Sequence, residues 1–176
     1  PNPLPDIDRV DSMCILGVIV SNTLSFKMHV NNIVEKANRS FYALKTLHAH
    51  GLDGQALWDV TRATLVAQLL YASPAWWGFL KADDKSRLQS LLTKAQRYGY
   101  LPCKFDTLDT LCESLDQTLF HSTMYNTKHV LHQLLPPPKE TGYNLRHRSH
   151  SLTIPSGVTN TMKQNFINRK LFYDIY

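Results

Sequence analysis

Cysteine is scarce in this chain. Cys14, Cys103 and Cys112 are the only three among 176 residues, an odd number without a CxxC pair, which argues against both a disulfide framework and a zinc knuckle. A reducing, intracellular setting, nuclear or cytoplasmic, is the expectation. Long apolar runs are missing too. The longest, LVAQLLYASPAWWGFL, is interrupted by Gln68, Ser73, Pro74 and Gly78 and is too short to span a bilayer, so no membrane association is expected. The seven glycines never gather into a phosphate-cradling loop. No serine sits in a nucleophile elbow, and none lies beside a histidine with an orienting acid. The chain has no secretory leader pattern and opens PNPLPDIDRVDS without methionine, so the expectation is a fragment or processed piece of something larger.

What is present fits one globular domain with a loose tail: 43% of residues are hydrophobic and 19% charged, and the length suffices to bury a core. The net charge of +5 is unevenly placed. From residue 139 onward six basic residues face two acids, so +4 sits in the last 38 positions and the first 138 residues carry +1.

MCILGVIV, residues 13 to 20, reads as a strand bounded by Ser21 and Asn22. Ser25 can cap a helix in which Val30, Ile33, Val34, Ala37, Phe41, Leu44 and Leu47 recur at three- and four-residue spacing up to Gly51. A second helix begins near Asp53, carries Leu57, Val60, Leu65 and Leu69 on one side, and stops before Pro74. Beyond the aromatic knot YASPAWWGFL, a third helix places Leu88, Leu91, Leu92, Ala95 and Tyr98 on one face, with Lys85, Arg87, Lys94 and Arg97 elsewhere, and Pro102 separates it from the next segment. A short helix from about 107 to 115 and a longer one from about 117 to 135 lead to PPP, where regular structure is expected to end. A short terminal helix is expected around 162 to 174.

The acids Asp83 and Asp84 in KADD invite comparison with metal-binding carboxylates, which need a third acid on a rigid element. Lys81 and Lys85 flank them and an amphipathic helix begins at once, so they read as helix-start acids. His121, Tyr125, His129 and His132 fall on one expected helical stripe with Cys112 one helix earlier, but a zinc site needs four converging ligands, and no metal site is assigned. His48 and His50 suit the negative end of their helix. Trp76 and Trp77 read as packing before base stacking. RHRSH, residues 146 to 150, is either a phosphate-tracking arm or a solvated tail.

The order of these pieces carries more than any one of them. CILGVIVSNTLSFKMHVNNIVEKANRSFYALKTL, then LLYASPAWWGFL, then LQSLLTKAQR, resembles the C-terminal part of reverse transcriptases from non-LTR retrotransposons. Leu16, Gly17, Leu24, Ser25, Phe26, His29, Tyr71, Pro74, Trp77, Gly78, Leu88, Ala95 and Arg97 stand at the family's positions, and GYNLRHRSH and NFINRKLFYDIY look like the end of such reading frames. The resemblance covers most of the chain from residue 13. It implies that Met13 to Phe26 form the primer-grip hairpin, with Leu16, Gly17, Leu24, Ser25 and Phe26 as primer-grip-like residues, and that the helix from about His29 to His50 is the first thumb helix. Phe26 replaces a commoner tryptophan. The family's catalytic carboxylates and their magnesium belong to an upstream palm. KADD has lysine where the family has an aromatic and comes after the Leu-Gly strand where the family's acids precede it, so no catalytic residue and no cofactor are assigned to this chain.

The expected architecture is therefore mainly α: a helical thumb-like bundle with a short N-terminal β-hairpin or strand and an irregular basic tail, divided at 1–27, 28–135 and 136–176. The expected role is the C-terminal fragment of a retroelement RNA-directed DNA polymerase that holds an RNA/DNA template-primer duplex, works with the missing fingers and palm, and is inactive alone. Lys27, Lys36, Arg39, Lys45, Arg146 and Arg148 are the expected phosphate contacts. The rival reading is a helical protein-interaction module derived from a degenerate retroelement, its aromatic knot packing on another polypeptide. Apolar surface around residues 13 to 20, left without a palm to cover it, makes self-association an expected consequence.

Overall fold

The computed structural model describes residues 8–139 and 150–173. The chain is mainly helical with one short antiparallel hairpin near the N-terminus, as the sequence predicts. Among the described residues no helix is long and apolar enough to cross a membrane. The chain forms two compact units: one draws on the chain up to Ala72 and on Phe79–Asp109, the other on Ser73–Gly78 and the chain from Thr110.

In the first unit the apolar run 13–20 is two strands. β1 (Ser12–Ile15) and β2 (Val18–Ser21) pair antiparallel, with Met13 opposite Val20 and Ile15 opposite Val18. The two residues between them, Leu16 at φ 47 and Gly17 at φ 85, both take the left-handed conformation that a tight hairpin turn requires. Gly17 does so freely, whereas Leu16 carries a Cβ penalty. The Tyr71 hydroxyl donates to the Leu16 carbonyl at 2.9 Å and pins that turn.

α1 (Lys27–Ala49) buries His29, Val30, Ile33, Ala37, Phe41 and Leu44, whereas Val34, expected on the same stripe, is half-buried and Leu47, in the last turn, is exposed; the helix packs on β2 and on the helical segments 54–61, 67–70 and 82–97. Each fully buried Leu, Val or Phe stabilises by very roughly 1.5–3 kcal/mol. The N-cap is Phe26, not Ser25, and it makes no side-chain cap bond. Ser25 instead accepts from the Lys27 N–H at 3.4 Å while its own N–H is held by the Ser21 hydroxyl, so the hairpin exit claims it. The C-terminus ends as Gly51 predicts: Gly51 N–H bonds the His48 carbonyl and Leu52 N–H the Leu47 carbonyl, the paired closure of a Schellman motif.

α2 (Gly54–Thr61) starts after Asp53, runs through a π-helical turn at Arg62–Val66, and continues as α3 (Ala67–Leu70). Leu57, Thr61, Leu65 and Leu69 are all buried. Their strict four-residue spacing outruns a 3.6-residue period, and the wider π turn absorbs the excess. Thr61 and Thr64 hydroxyls donate to the Leu57 and Val60 carbonyls there. α5 (Ala82–Arg97) buries Leu88, Leu91, Leu92 and Ala95. It closes with a second Schellman pair, Gly99 (φ 75) to Gln96 and Tyr100 to Ala95, just before Pro102. That reversal buries Tyr100 and leaves Tyr98, expected on the apolar face, 47% exposed.

In the second unit the knot is itself helical, α4 (Ser73–Trp76) continued by a 3₁₀ turn Trp77–Phe79 that ends in the first unit. Pro74 sits in the first turn, where its missing N–H does no harm. The two helices expected at 107–115 and 117–135 are one, α6 (Leu108–Tyr125), and a 3₁₀ turn covers Val130–Leu134. Asp116 falls at the expected break. Its carboxylate accepts from Arg169, so a buried acid is tolerated within the helix. Among the described residues after the prolines, Pro138 pairs with Leu152, and α7 (Asn160–Gln164) and α8 (Phe166–Leu171) form where the sequence predicts one terminal helix. Phe166 and Leu171 join Phe120 in a small core.

Candidate nucleic-acid interface

Lys27, Lys36, Arg39 and Lys45 are all exposed and belong to no ion pair among the described residues. At about 100° per residue they do not form one patch. Lys27 and Lys45 flank one edge of the buried stripe, Lys36 flanks the other, and Arg39 lies between them on the outer face next to Lys36. Arg146 and Arg148 lie outside the described residues.

The primer-grip-like residues have separate tasks. Leu16 and Gly17 make the hairpin turn, with Leu16 87% exposed. Leu24, at φ 55, and Ser25 shape the exit loop, and Phe26 is buried against Phe79 with ring centroids 5.4 Å apart. His29 is buried and its Nδ1 accepts from the Ile19 N–H at 3.4 Å, tying α1 to β2. Desolvation by that burial, with a smaller contribution from the Lys36 charge, holds its pKa below the ordinary 6.5.

α5 carries a surface that the spacing of apolar residues does not reveal. Ser86, Gln89, Ser90, Thr93, Lys94 and Arg97 line an open trough of about 500 Å³ on the side opposite Leu88, Leu92 and Ala95. Gln89 Oε1 accepts from the Leu108 N–H at 2.7 Å, which fixes the amide. The Ser90 and Thr93 hydroxyls donate to the Arg87 and Gln89 carbonyls, so their oxygens remain as acceptors. Lys94 lies over the Phe41 ring at 4.6 Å, its stem covering a core aromatic, and stands 6.0 Å from the exposed Tyr98 ring, with the Arg97 guanidinium at 5.3 Å. Neither cation belongs to an ion pair among the described residues, whereas Lys85 pairs with Asp109 and Arg87 with Asp84. The sequence signal for this trough is the recurrence 86, 89, 90, 93, 94, 97, a polar period that the stronger apolar period of the same helix masks.

The other candidates resolve structurally. Asp83 and Asp84 lie in the first turn of α5, but the N-cap is Lys81 and no side chain caps it; both meet the positive end of the helix dipole, and Asp84 also pairs with Arg87. The histidine stripe is broken, because α6 ends at Tyr125. His129 accepts from the Leu131 N–H and His132 bonds the Thr123 carbonyl. Among the described residues no group of three or more His, Cys, Asp or Glu is gathered in ligand geometry. His48 bonds the Leu52 carbonyl at its helix end. Trp76 and Trp77 are 0% and 5% exposed, so neither offers a ring face to a base. No protein-family model, no curated protein and no solved structure matches the chain.

Proposed function

We propose that this chain is the thumb-like C-terminal portion of a retroelement reverse transcriptase, gripping template-primer nucleic acid without catalysing polymerisation. The observation that supports it best is the division among the cations. Lys85, Arg87, Arg169 and Lys170 are spent on ion pairs, while Lys27, Lys36, Arg39, Lys45, Lys94 and Arg97 all stand outside them on α1 and α5. Unneutralised cations on rigid helices bind phosphates without reading sequence.

The test is fluorescence anisotropy of a labelled RNA/DNA primer-template across a salt series. Binding that weakens steeply with salt is expected, with each lost phosphate contact reducing the log–log slope by about 0.9, so Lys36→Glu with Arg39→Glu removes about two units at most. Arg146 and Arg148 are tested by substitution to alanine. Truncation at residue 138 would also remove Phe166 and Leu171 from the core that they share with Phe120. No binding at low salt rejects the proposal.

The interaction-module reading has one observation in its favour: Met13, Ile15, Leu16, Leu24 and Met28 are each about half exposed or more. This relocates its docking surface from the buried knot to the hairpin. Concentration-dependent self-association in the absence of nucleic-acid binding would favour it.

A further inference from the structure

From the trough on α5 we infer that it takes a single strand of RNA, with phosphates at Lys94 and Arg97 and a base against Tyr98. The inference rests on the nucleic-acid reading above and goes further, because a duplex alone would leave most of this surface unused. Tyr98 is 47% exposed while the next ring along, Tyr100, is buried 5.7 Å away. The Schellman closure at Gly99 holds Tyr98 out, beside Lys94 and Arg97, the two cations that line the end of the trough.

Lys94, Arg97 and Tyr98 meet at the C-terminal end of α5, and Thr93, Ser90 and Gln89 line the trough that runs back from the two cations, Gln89 about two and a half turns before Tyr98 and on the other side of the helix. Lys94 and Arg97 supply positive charge with no acid paired to either among the described residues. Tyr98 supplies an aromatic face already bracketed by those cations. The Gln89 amide nitrogen, its oxygen being occupied, is a donor. The Ser90 and Thr93 oxygens, their protons being occupied, are acceptors. A single strand offers a partner to each: phosphate, unstacked base, base-edge or ribose acceptor, and ribose 2′-hydroxyl donor. Bases in a duplex remain stacked inside, so a duplex has nothing for Tyr98. An acidic peptide would neutralise the cations and likewise leave the ring unused.

The test measures the whole chain against a short single-stranded RNA carrying one fluorescent adenine analogue, and against a blunt RNA/DNA duplex. The expected result is quenching of the analogue on binding, with Tyr98→Leu abolishing the quench and weakening single-strand affinity about tenfold while duplex affinity is unchanged. Lys94→Gln with Arg97→Gln is expected to lower the single-strand salt slope by about 1.4. Equal urea midpoints for wild type and variants exclude unfolding as the cause. If Tyr98→Leu binds the single strand as wild type does, or if only the duplex binds, the inference is overturned and the thumb-like reading stands. Displacement of the RNA by polyglutamate of matched charge as effectively as by unlabelled RNA overturns it in favour of an acidic peptide. If neither nucleic acid binds at low salt, both readings fall together.

Discussion

Gly78→Ala is the sharpest test of how the second unit is held together. A Cβ built at Gly78 would overlap Arg169 Nη1 and the Gln164 carbonyl oxygen. The first is the end of a flexible side chain, but the second is backbone at the end of α7, so the junction between α7 and α8 must shift. Arg169 donates through Nε and Nη2 to Asp116 Oδ2 and through Nη1 to the Gln164 carbonyl. Asp116 is 4% exposed and its Oδ1 already lacks a hydrogen-bond partner. Displacing the guanidinium leaves a buried carboxylate, and breaking such a pair costs about 3–5 kcal/mol. The Arg169 side chain keeps 22% exposure, which admits some water and points to the lower figure, about 3 kcal/mol. With a urea m-value of about 2 kcal/mol/M, the midpoint falls by about 1.5 M.

The assay is urea unfolding monitored by tryptophan fluorescence, since two of the three tryptophans, Trp76 and Trp77, lie next to Gly78 in the chain. Arg169→Met supplies the partner measurement. If Gly78→Ala acts by dislodging Arg169, the double variant loses less than the sum of the singles, with a coupling above about 1 kcal/mol. A Gly78→Ala protein within about 0.5 kcal/mol of wild type, or fully additive singles, would refute the packing argument. The same geometry gives a physical reason for a glycine after Trp77, a position that the family resemblance marks without explaining.

At the hairpin, Gly17→Ala is expected to cost about 1 kcal/mol through its φ of 85, and Leu16→Asn to stabilise by a few tenths, because asparagine tolerates the left-handed region; thermal unfolding reads both. Tyr71→Phe removes the bond to the Leu16 carbonyl and is expected to lose about 0.5–1 kcal/mol, with the loss vanishing if the turn is not held there. His29 titrates below 6.5 in the folded chain, so the unfolded chain binds the proton first and stability falls as pH drops from about 6.5 through the folded value. His29→Gln is expected to flatten the urea midpoint against pH between about 7.5 and 5, and an unchanged slope would show that this histidine does not drive it.

Helices whose apolar residues recur on one face were legible in the sequence. Five of the seven expected α1 positions and four of the five expected α5 positions are buried, and Gly51 marks the end it makes. Other features were hidden where a local signal had a distant answer. Leu-Gly between two apolar triplets looks like an unbroken strand, because leucine is an unusual residue for a left-handed turn. Asp116 looks like a helix break until Arg169, 53 residues on, is known to meet it. Tyr98 keeps the apolar phase of α5, but the helix ends before that phase can bury it. Spacing along the chain does not show how candidate contacts are arranged either: the four cations of α1 are spread around a cylinder, and the trough residues of α5 are ordinary polar types.

Charge shows the point most clearly. By sequence, +4 of the +5 lies from residue 139 onward, which suggests a basic arm free to track phosphates. Two of its six cations are not free: Lys170 is 3% exposed and meets Glu113, and Arg169 meets Asp116. Lys163 stands over the Phe172 ring at 5.2 Å. The tail's charge thus neutralises α6 and ties α8 to it, while the nearly neutral first 138 residues present Lys27, Lys36, Arg39, Lys45, Lys94 and Arg97 outside any ion pair among the described residues. Net charge per segment therefore overstates what the described part of the tail offers a polyanion. A polyanion meets the charge remaining after internal pairs are removed, and the six cations on α1 and α5 are among those that remain.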